Sequence, residues 1–448
     1  MRRGTRAAQT LRAAAQPAAA RPLPSLPLPS PPVPSPPPAA EPSWAAWVDG
    51  TVSALAEQRL LRSLRPLTPD PGCSRRVVLS APSPQRLTVF ADNDYLGLSS
   101  HPEVRAAAAA AAAEHGCGPR SSALVCGHTE WHESLARRLA RLKHADACEL
   151  FPTGFAANAA VLGALATSPG CAIFSDALNH ASIVDGARLA AKGAGAALHI
   201  YRHNDLAHLE RLLSASAAPR KLIVSDSVFS MDGDAADAAG LAALRDRHGA
   251  LLVLDEAHAT LVYGEGGGGV AEQAGVADRV DVSVGTLSKA FGAHGGFVAC
   301  SSPLHQLLLS RGRAGIYSTA LPLPAVAAAD AALALATPQR RAQLWARVCA
   351  FEAAIGSAPR QACGWRSPIV PIEVGSEAAA LEAAARLQRS GFLVPAIRPP
   401  TVPEGTSRLR VVVTAGHAKE EVAELARALS ESGVLRLRDA HARGEGEY

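Results

Sequence analysis

At 448 residues, with 48% hydrophobic and 19% charged residues, the chain has an ordinary globular balance and room for a large core. The net charge of +4 arises in residues 1–40, which hold Arg2, Arg3, Arg6, Arg12 and Arg21 and no acidic residue; setting those five arginines aside leaves −1, no basic surplus for nucleic acid. No run reaches the roughly 18 apolar residues that span a bilayer, and the cysteines (Cys73, Cys117, Cys126, Cys148, Cys171, Cys300, Cys349, Cys363) show no CxxC or Cys/His ligand spacing. That pattern argues against a zinc site, other metal chemistry or a disulfide-stapled secreted fold, and leaves buried or incidental thiols in a reducing compartment.

In chain order, the segment to Pro42 is basic and alanine-rich, then dense in proline from Arg21. It buries too little apolar surface to fold, and its proline φ angles disfavour helix and sheet. An Arg/Ala-rich, acid-free start reads as a transit peptide for a mitochondrion or plastid; a plain disordered tail on a cytosolic or peroxisomal protein is the alternative. Trp44 to Leu67 is roughly helical, and turn-rich sequence is expected from there to Pro84. A strand at Arg86–Ala91 leads to Asn93-Asp94-Tyr95-Leu96-Gly97-Leu98. Helices are predicted at His101–His115, with Pro102 in the first turn, and at Glu130–Leu142.

The pattern then alternates. Strands at 172–175, 197–201, 221–225 and 251–255 are separated by helices at 183–191, 206–214 and 238–248, which predicts a mainly parallel sheet covered on both faces. After Pro322 and Pro324 one long alanine-rich helical region is expected to about Ile355. Strands at 369–374 and 408–414, with helices at 377–390 and 419–429, form a smaller α+β lobe. The expected organisation is a transit-like segment at 1–42, an arm at 43–100, a large domain at 101–333, a small domain at 334–436 and a tail at 437–448.

The chemistry gathers around Lys289, set among small residues just after a β-like run at 280–284 and before Gly295-Gly296. A primary amine so placed suits a Schiff base with an aldehyde cofactor; alone, it would be an ordinary loop lysine. Thr153-Gly154-Phe155 opens a helix whose free N–H groups could hold a phosphate, or is simply a capped helix start. His180 follows a strand and could lie over an aromatic ring, or be a satisfied loop histidine. Asp255-Glu256-Ala257-His258 ends the most apolar strand. A carboxylate there can keep a pyridine nitrogen protonated and make its ring an electron sink, although a structural Asp–His pair would look the same. Ser230 adds a hydroxyl at a strand end. Helix-start glycine, histidine, strand-end aspartate and a lysine 34 residues later stand in the order of a fold-type I, aminotransferase-like pyridoxal-phosphate enzyme.

On these residues the sequence resembles the α-oxoamine synthases over roughly Trp44 to Leu429. The matching runs are Asn93-Asp94-Tyr95-Leu96-Gly97-Leu98, Pro152-Thr153-Gly154-Phe155-Ala156-Ala157-Asn158, Phe229-Ser230-Met231-Asp232-Gly233, Asp255-Glu256-Ala257-His258, Gly285-Thr286-Leu287-Ser288-Lys289 and Arg398-Pro399-Pro400-Thr401-Val402-Pro403. Gly264–Gly269 and Gly296–Ser301 look like the plant members that make the biotin precursor. The resemblance implies pyridoxal 5'-phosphate as cofactor and decarboxylative condensation of L-alanine with pimeloyl-CoA, releasing CoA and CO2.

It further implies that Lys289 carries the cofactor and removes the α-proton, that Asp255 supports the ring nitrogen, and that His180 stacks on the ring. Ser230 and His258 would contact the ring, with Gly154, Phe155 and Thr286 around the cofactor and Thr286 on the phosphate. Asn93 and Arg410 would address the amino-acid carboxylate, and Arg62 and Thr401 the acyl substrate. A homodimer is implied, with Ser318-Thr319 serving the partner's phosphate. The sequence departs from the pattern at Ser63-Leu64, where basic residues often stand, at the glycine-rich 266–269 turn, expected to be more flexible than its counterparts, and at the C-terminal Gly-Glu-Tyr, which is not a peroxisomal Ser-Lys-Leu type signal. Sister activities (5-aminolevulinate synthase, 2-amino-3-ketobutyrate ligase, serine palmitoyltransferase) would share the lysine chemistry and differ in substrates, whereas a catalytically silent scaffold subunit should lack the lysine.

Overall fold

The computed structural model describes residues 43–58, 60–71, 73–80, 84–356 and 365–442. The transit-like segment, the C-terminal Gly-Glu-Tyr and Cys363 lie outside the described residues. The chain divides into two units, Met1–Leu64 and Arg65–Tyr448, each taken by itself. In the first, α1 (Trp44–Glu57) starts where the Ser43 side chain accepts from the Ala46 N–H at 3.3 Å. It stops well short of the expected Leu67, because the Leu60 and Leu61 amides both fold back onto the Leu55 carbonyl at 2.8 and 3.1 Å. None of its residues is buried.

The second unit opens with an antiparallel meander of β1 (Leu67–Asp70), β2 (Cys73–Leu79) and β3 (Gln85–Val89). The expectation of turns to Pro84 is therefore corrected. Alternating Val77, Leu79, Leu87 and Val89 form a small buried cluster, and that pattern was the signal available. Helices α2 (Pro102–His115) and α3 (Glu130–Leu142) follow.

Seven strands build the central sheet: β4 (Ala147–Phe151), β5 (Cys171–Asp176), β6 (Ala197–Tyr201), β7 (Arg220–Asp226), β8 (Leu251–Asp255), β9 (Val282–Thr286) and β10 (Gly296–Cys300), in the order β4-β10-β9-β8-β7-β5-β6. Only β10 runs against its neighbours. Helices α4 (Gly154–Leu165), α5 (Ala181–Ala194), α6 (Leu206–Ala215) and α7 (Ala238–His248) are the crossovers. Successive strand residues point to opposite faces. Ile173, Leu222, Val224 and Val253 thus join one core with Val161, Leu162 and Ile183, while Phe174, Ile223, Leu252 and Leu254 join another with Leu209, Leu213 and Leu241. The buried, two-sided sheet expected from the alternation is present.

The single helical region expected to Ile355 is two helices, Leu323–Leu335 and Pro338–Ala354. Thr337 caps the second, accepting from the Arg340 N–H at 3.3 Å, with Pro338 in its first turn. A three-stranded antiparallel sheet then forms from β11 (Ile369–Gly375), β13 (Ala396–Ile397) and β14 (Ser407–Val412), while the short β12 (Phe392–Leu393) pairs with β3. Helix Val434–Ala442 runs into the stretch expected as a tail. Among the described residues no helix is long and apolar enough to cross a membrane. Cys148, Cys171 and Cys300 are buried, but Cys117, Cys126 and Cys349 are exposed.

The glycine-rich turn is not loose. Glu272 accepts from the Gly266 and Gly268 amides at 2.9 and 2.6 Å, and Lys143 Nζ donates to the Gly268 carbonyl at 2.6 Å. The same ammonium meets Glu256 Oε2 at 2.5 Å, with both side chains 1% exposed. Removing one partner of such a pair leaves an uncompensated buried charge. Lys143→Met should therefore lose about 3–5 kcal/mol of stability, read as a lowered denaturant midpoint, with Lys143→Arg retaining part of it.

Candidate active site

The carboxyl edge of the sheet collects the reactive groups. Because β7 and β8 are parallel and in register, Asp226 lies opposite Asp255 at their ends. Both are buried. Facing them, Lys289 sits in the hairpin between β9 and β10. Fully buried Leu287 and Phe291 anchor that hairpin, and the Leu287 N–H closes it onto the Gly295 carbonyl at 2.9 Å. A cleft of about 190 Å³ opens between them, lined by Thr153, Gly154, Phe155, Asn158, His180, Ser182, Asp226, Ser230, Asp255, His258, Thr286, Ser288 and Lys289.

Asp255 is held with one donor on each oxygen: the Ala257 N–H at 2.8 Å on Oδ1 and Asn158 Nδ2 at 2.6 Å on Oδ2. Asp226 Oδ2 accepts from the His180 N–H at 2.7 Å. Burial pushes the Asp226 carboxyl well up, and the neighbouring Asp255 charge adds to that. Loss of hydration lowers the Lys289 amine to about 8, opposed by Asp255 and Asp226. Burial, then Lys289 and Arg410, hold His258 well below the usual imidazole range, so it is neutral.

The helix start expected at Gly154 is the N-terminus of α4, where Thr153 Oγ1 accepts from the Ala156 N–H at 3.0 Å. Strand β10 backs it closely: a Cβ on Gly296 would stand 2.4 Å from the Thr153 carbonyl, so only glycine fits there. The first N–H groups of α4 have no intrahelical partner. Thr286 Oγ1 donates to the Gly295 carbonyl at 2.9 Å and lies 2.8 Å from Ser288 Oγ. Phe155 is 48% exposed at the cleft.

A second group of expected residues joins from the small sheet. Arg410, buried on β14, donates through Nε to the Ser230 carbonyl at 2.5 Å and through Nη2 to Asn93 Oδ1 at 3.1 Å. Tyr95 Oη lies 3.2 Å from Asn93 Oδ1 and 2.6 Å from His258 Nδ1. Nε2 of His258 is thus the ring nitrogen available to a bound molecule. Of the remaining expected residues, Thr401 stands in an exposed turn after Pro400, outside the cleft lining, and Arg62 is exposed in the first unit. Sequence reading missed Asn158, Ser182, Asp226 and Tyr95. Each lies within or beside a recognisable run, and only folding reveals which hydroxyl, amide or carboxyl turns inward.

Residues 85–429 match the family described as Aminotransferase class I and II. An 8-amino-7-oxononanoate synthase of Arabidopsis thaliana is 48% identical over 361 residues, covering 77% of this chain and 75% of that protein. Among solved structures, a serine palmitoyltransferase from S. paucimobilis with a bound PLP–myriocin aldimine aligns at TM-score 0.77 and 26% identity, over 90% of this chain and 100% of that one. A Francisella tularensis 8-amino-7-oxononanoate synthase aligns at TM-score 0.64 and 25% identity, over 77% of this chain and 97% of that one. The chain belongs to the 8-amino-7-oxononanoate synthases, within the class I and II aminotransferase family.

The depressed Lys289 value can be checked without any cofactor. An amine reacts only when neutral, so its fraction available rises as pH climbs through the folded value. Competitive labelling with acetic anhydride should show Lys289 half-maximally reactive near pH 8, while exposed lysines follow at about 10.4. A Lys289 curve that coincides with theirs would contradict this electrostatic picture of the cleft.

Proposed function

We propose that the chain uses pyridoxal 5'-phosphate to condense L-alanine with pimeloyl-CoA, or another pimeloyl thioester, giving 8-amino-7-oxononanoate, CoA and CO2 in biotin biosynthesis. One observation carries this: a lysine amine lowered to about 8 shares a cleft with a donor-held carboxylate and a helix N-terminus. The donor set fits the cofactor. Lys289 suits its aldehyde, Asp255 its pyridine nitrogen, and the α4 amides its phosphate. At Gly154 a Cβ would already stand 3.4 Å from Thr286 Cβ, so the bare backbone leaves space for an anion.

When bound, pyridoxal phosphate supplies an electron sink for a carbanion at the α-carbon of the amino acid. The protein's own groups do the rest. Lys289 Nζ, neutral in about half the molecules near pH 8, first holds the cofactor and then accepts the α-proton. Asp255, held by its two donors, would face the ring nitrogen and support its protonated form. His180 would lie against the ring, and neutral His258 and Ser230 would contact it. Arg410, pre-set by the Ser230 carbonyl and Asn93, offers its fork to the amino-acid carboxylate. Gly154, Phe155 and Thr286 would lie around the cofactor, with Thr286 on the phosphate, and Arg62 and Thr401 are assigned to the acyl chain by the resemblance.

A homodimer is part of the proposal. Leu124, Val125 and Tyr317 are 59%, 75% and 72% exposed, and Ser122 bridges to Thr319, so exposed apolar side chains flank the Ser318-Thr319 segment assigned to a partner's phosphate. Light scattering should give twice the 46.2 kDa chain mass.

Purified protein should release CoA from pimeloyl-CoA only when L-alanine is present. Release from succinyl-CoA with glycine instead would sink the substrate assignment. Lys289→Ala should lose at least about 10³-fold in kcat, since both its nucleophilic and its base role disappear.

A further inference from the structure

Among the groups that line the cleft runs a short chain of buried side chains whose linkage no step above uses. Asn158 on α4 is 1% exposed, and its Nδ2 donates both to Asp255 Oδ2 at 2.6 Å and to Ser182 Oγ at 3.0 Å. Ser182 is equally buried on α5. Its Oγ lies 2.7 Å from His180 Nδ1, and its backbone N–H donates to that same nitrogen at 3.2 Å.

Counting protons fixes the direction of every bond. An amide nitrogen only donates, so Ser182 Oγ accepts from Asn158 and its one hydroxyl proton goes to His180 Nδ1. With a second donor in the Ser182 N–H, Nδ1 is an acceptor, and the proton of neutral His180 resides on Nε2. Turning the Asn158 amide over would set its oxygen 2.6 Å from a carboxylate oxygen, acceptor against acceptor. The observed orientation instead leaves Asn158 Oδ1 buried with no partner among the described residues. Leaving a buried oxygen orphaned is costly, so both amide protons must matter where they are.

We infer that Asn158 is a positioning residue for the reaction: through one amide group it orients the Asp255 carboxylate and, by way of Ser182, selects the Nε2–H form of His180. This rests on the pyridoxal-phosphate reading above. The ring-nitrogen partner and the ring-facing imidazole are thereby set by a single side chain, so helix α4 determines the state of groups on β8 and at the start of α5. Neither Asn158 nor Ser182 needs to touch the amino acid or the thioester.

The test compares the holoenzyme with Asn158→Asp, Asn158→Ala and Ser182→Ala. Asn158→Asp keeps the shape but replaces the donating amide with a second carboxyl against Asp255, and Asn158→Ala removes both donors. Cofactor Kd is read by absorbance titration with pyridoxal phosphate, alongside the visible spectrum of the bound form and separate kcat and KM values. Both Asn158 variants should weaken cofactor binding roughly 10-fold or more, the range of a lost hydrogen bond to a charged group, alter the spectrum and lower kcat, with KM for pimeloyl-CoA little changed. Ser182→Ala leaves the Asp255 arm intact; its cofactor Kd should stay within about 3-fold, below the loss of a charged bond, while its spectrum and kcat change. Folded Asn158 variants with wild-type Kd and spectrum would overturn the inference, even if less stable. Should they fail to fold, Ser182→Ala decides, and an unchanged spectrum and kcat would overturn it. A wild-type protein that binds no pyridoxal phosphate would refute the functional reading instead, before any variant is compared.

Discussion

Two carboxylates, Asp226 and Asp255, stand side by side because β7 and β8 are parallel and in register. Buried like charges cannot both persist without donors or a cation near them. Everything at the sheet's edge answers that constraint. The α4 helix brings Asn158 to Asp255, the start of α5 turns the His180 amide onto Asp226, and the β9–β10 hairpin sets Lys289 across from the pair. Burial lowers the lysine's affinity for protons and raises that of Asp226, and the attraction between the two opposes both shifts. A slip of one residue between the strands would turn one carboxylate to the other face and break up the pair.

The small sheet takes part through one loop. Arg408 on β14 pairs with Asp232, Arg410 two residues on reaches the Ser230 carbonyl, and Trp365 Nε1 donates to the Gly233 carbonyl at 3.1 Å. Gly233 adopts φ +68° against Ile369, where any Cβ would collide with the Ile369 carbonyl. The loop that carries Ser230 is thus clamped by β11, β14 and the segment before them. Arg410 and Ser230 thus belong to one unit of structure.

Much of this was legible before folding, for identifiable reasons. Strands β6 and β8 and helices α3 and α7 end where turn residues or caps end them, as with Gly249 in left-handed conformation after His248. Lys289, Asp255 and His180 stand out because they terminate or follow elements with clear periodicity, and Gly154 because it opens a helix. The missed strands tell the opposite story. Ala147–Phe151 and Gly296–Cys300 are short, carry small or mixed residues and lack β-branched density, so nothing local separates them from loop. The break at Thr337-Pro338 did carry a cap signal, but alanine on both sides hid it. Asn158 sits within a recognisable motif and still shows no role there, because its importance lies in distances to β8 and α5 that no spacing along the chain encodes.

The lysine hairpin has a mechanical consequence. Its two strands are the adjacent antiparallel pair β9 and β10, locked in register from Thr286–Gly296 onward, and its tip is cross-tied by the Ala293 N–H to the Leu287 carbonyl and the Gly292 N–H to the Lys289 carbonyl at 2.9 and 2.8 Å. The backbone under Lys289 is therefore tied at both ends of the turn, and the freedom left to the amine is that of its four-carbon tether. Because β9 pairs with β8, that mooring point belongs to the same sheet edge as Asp255.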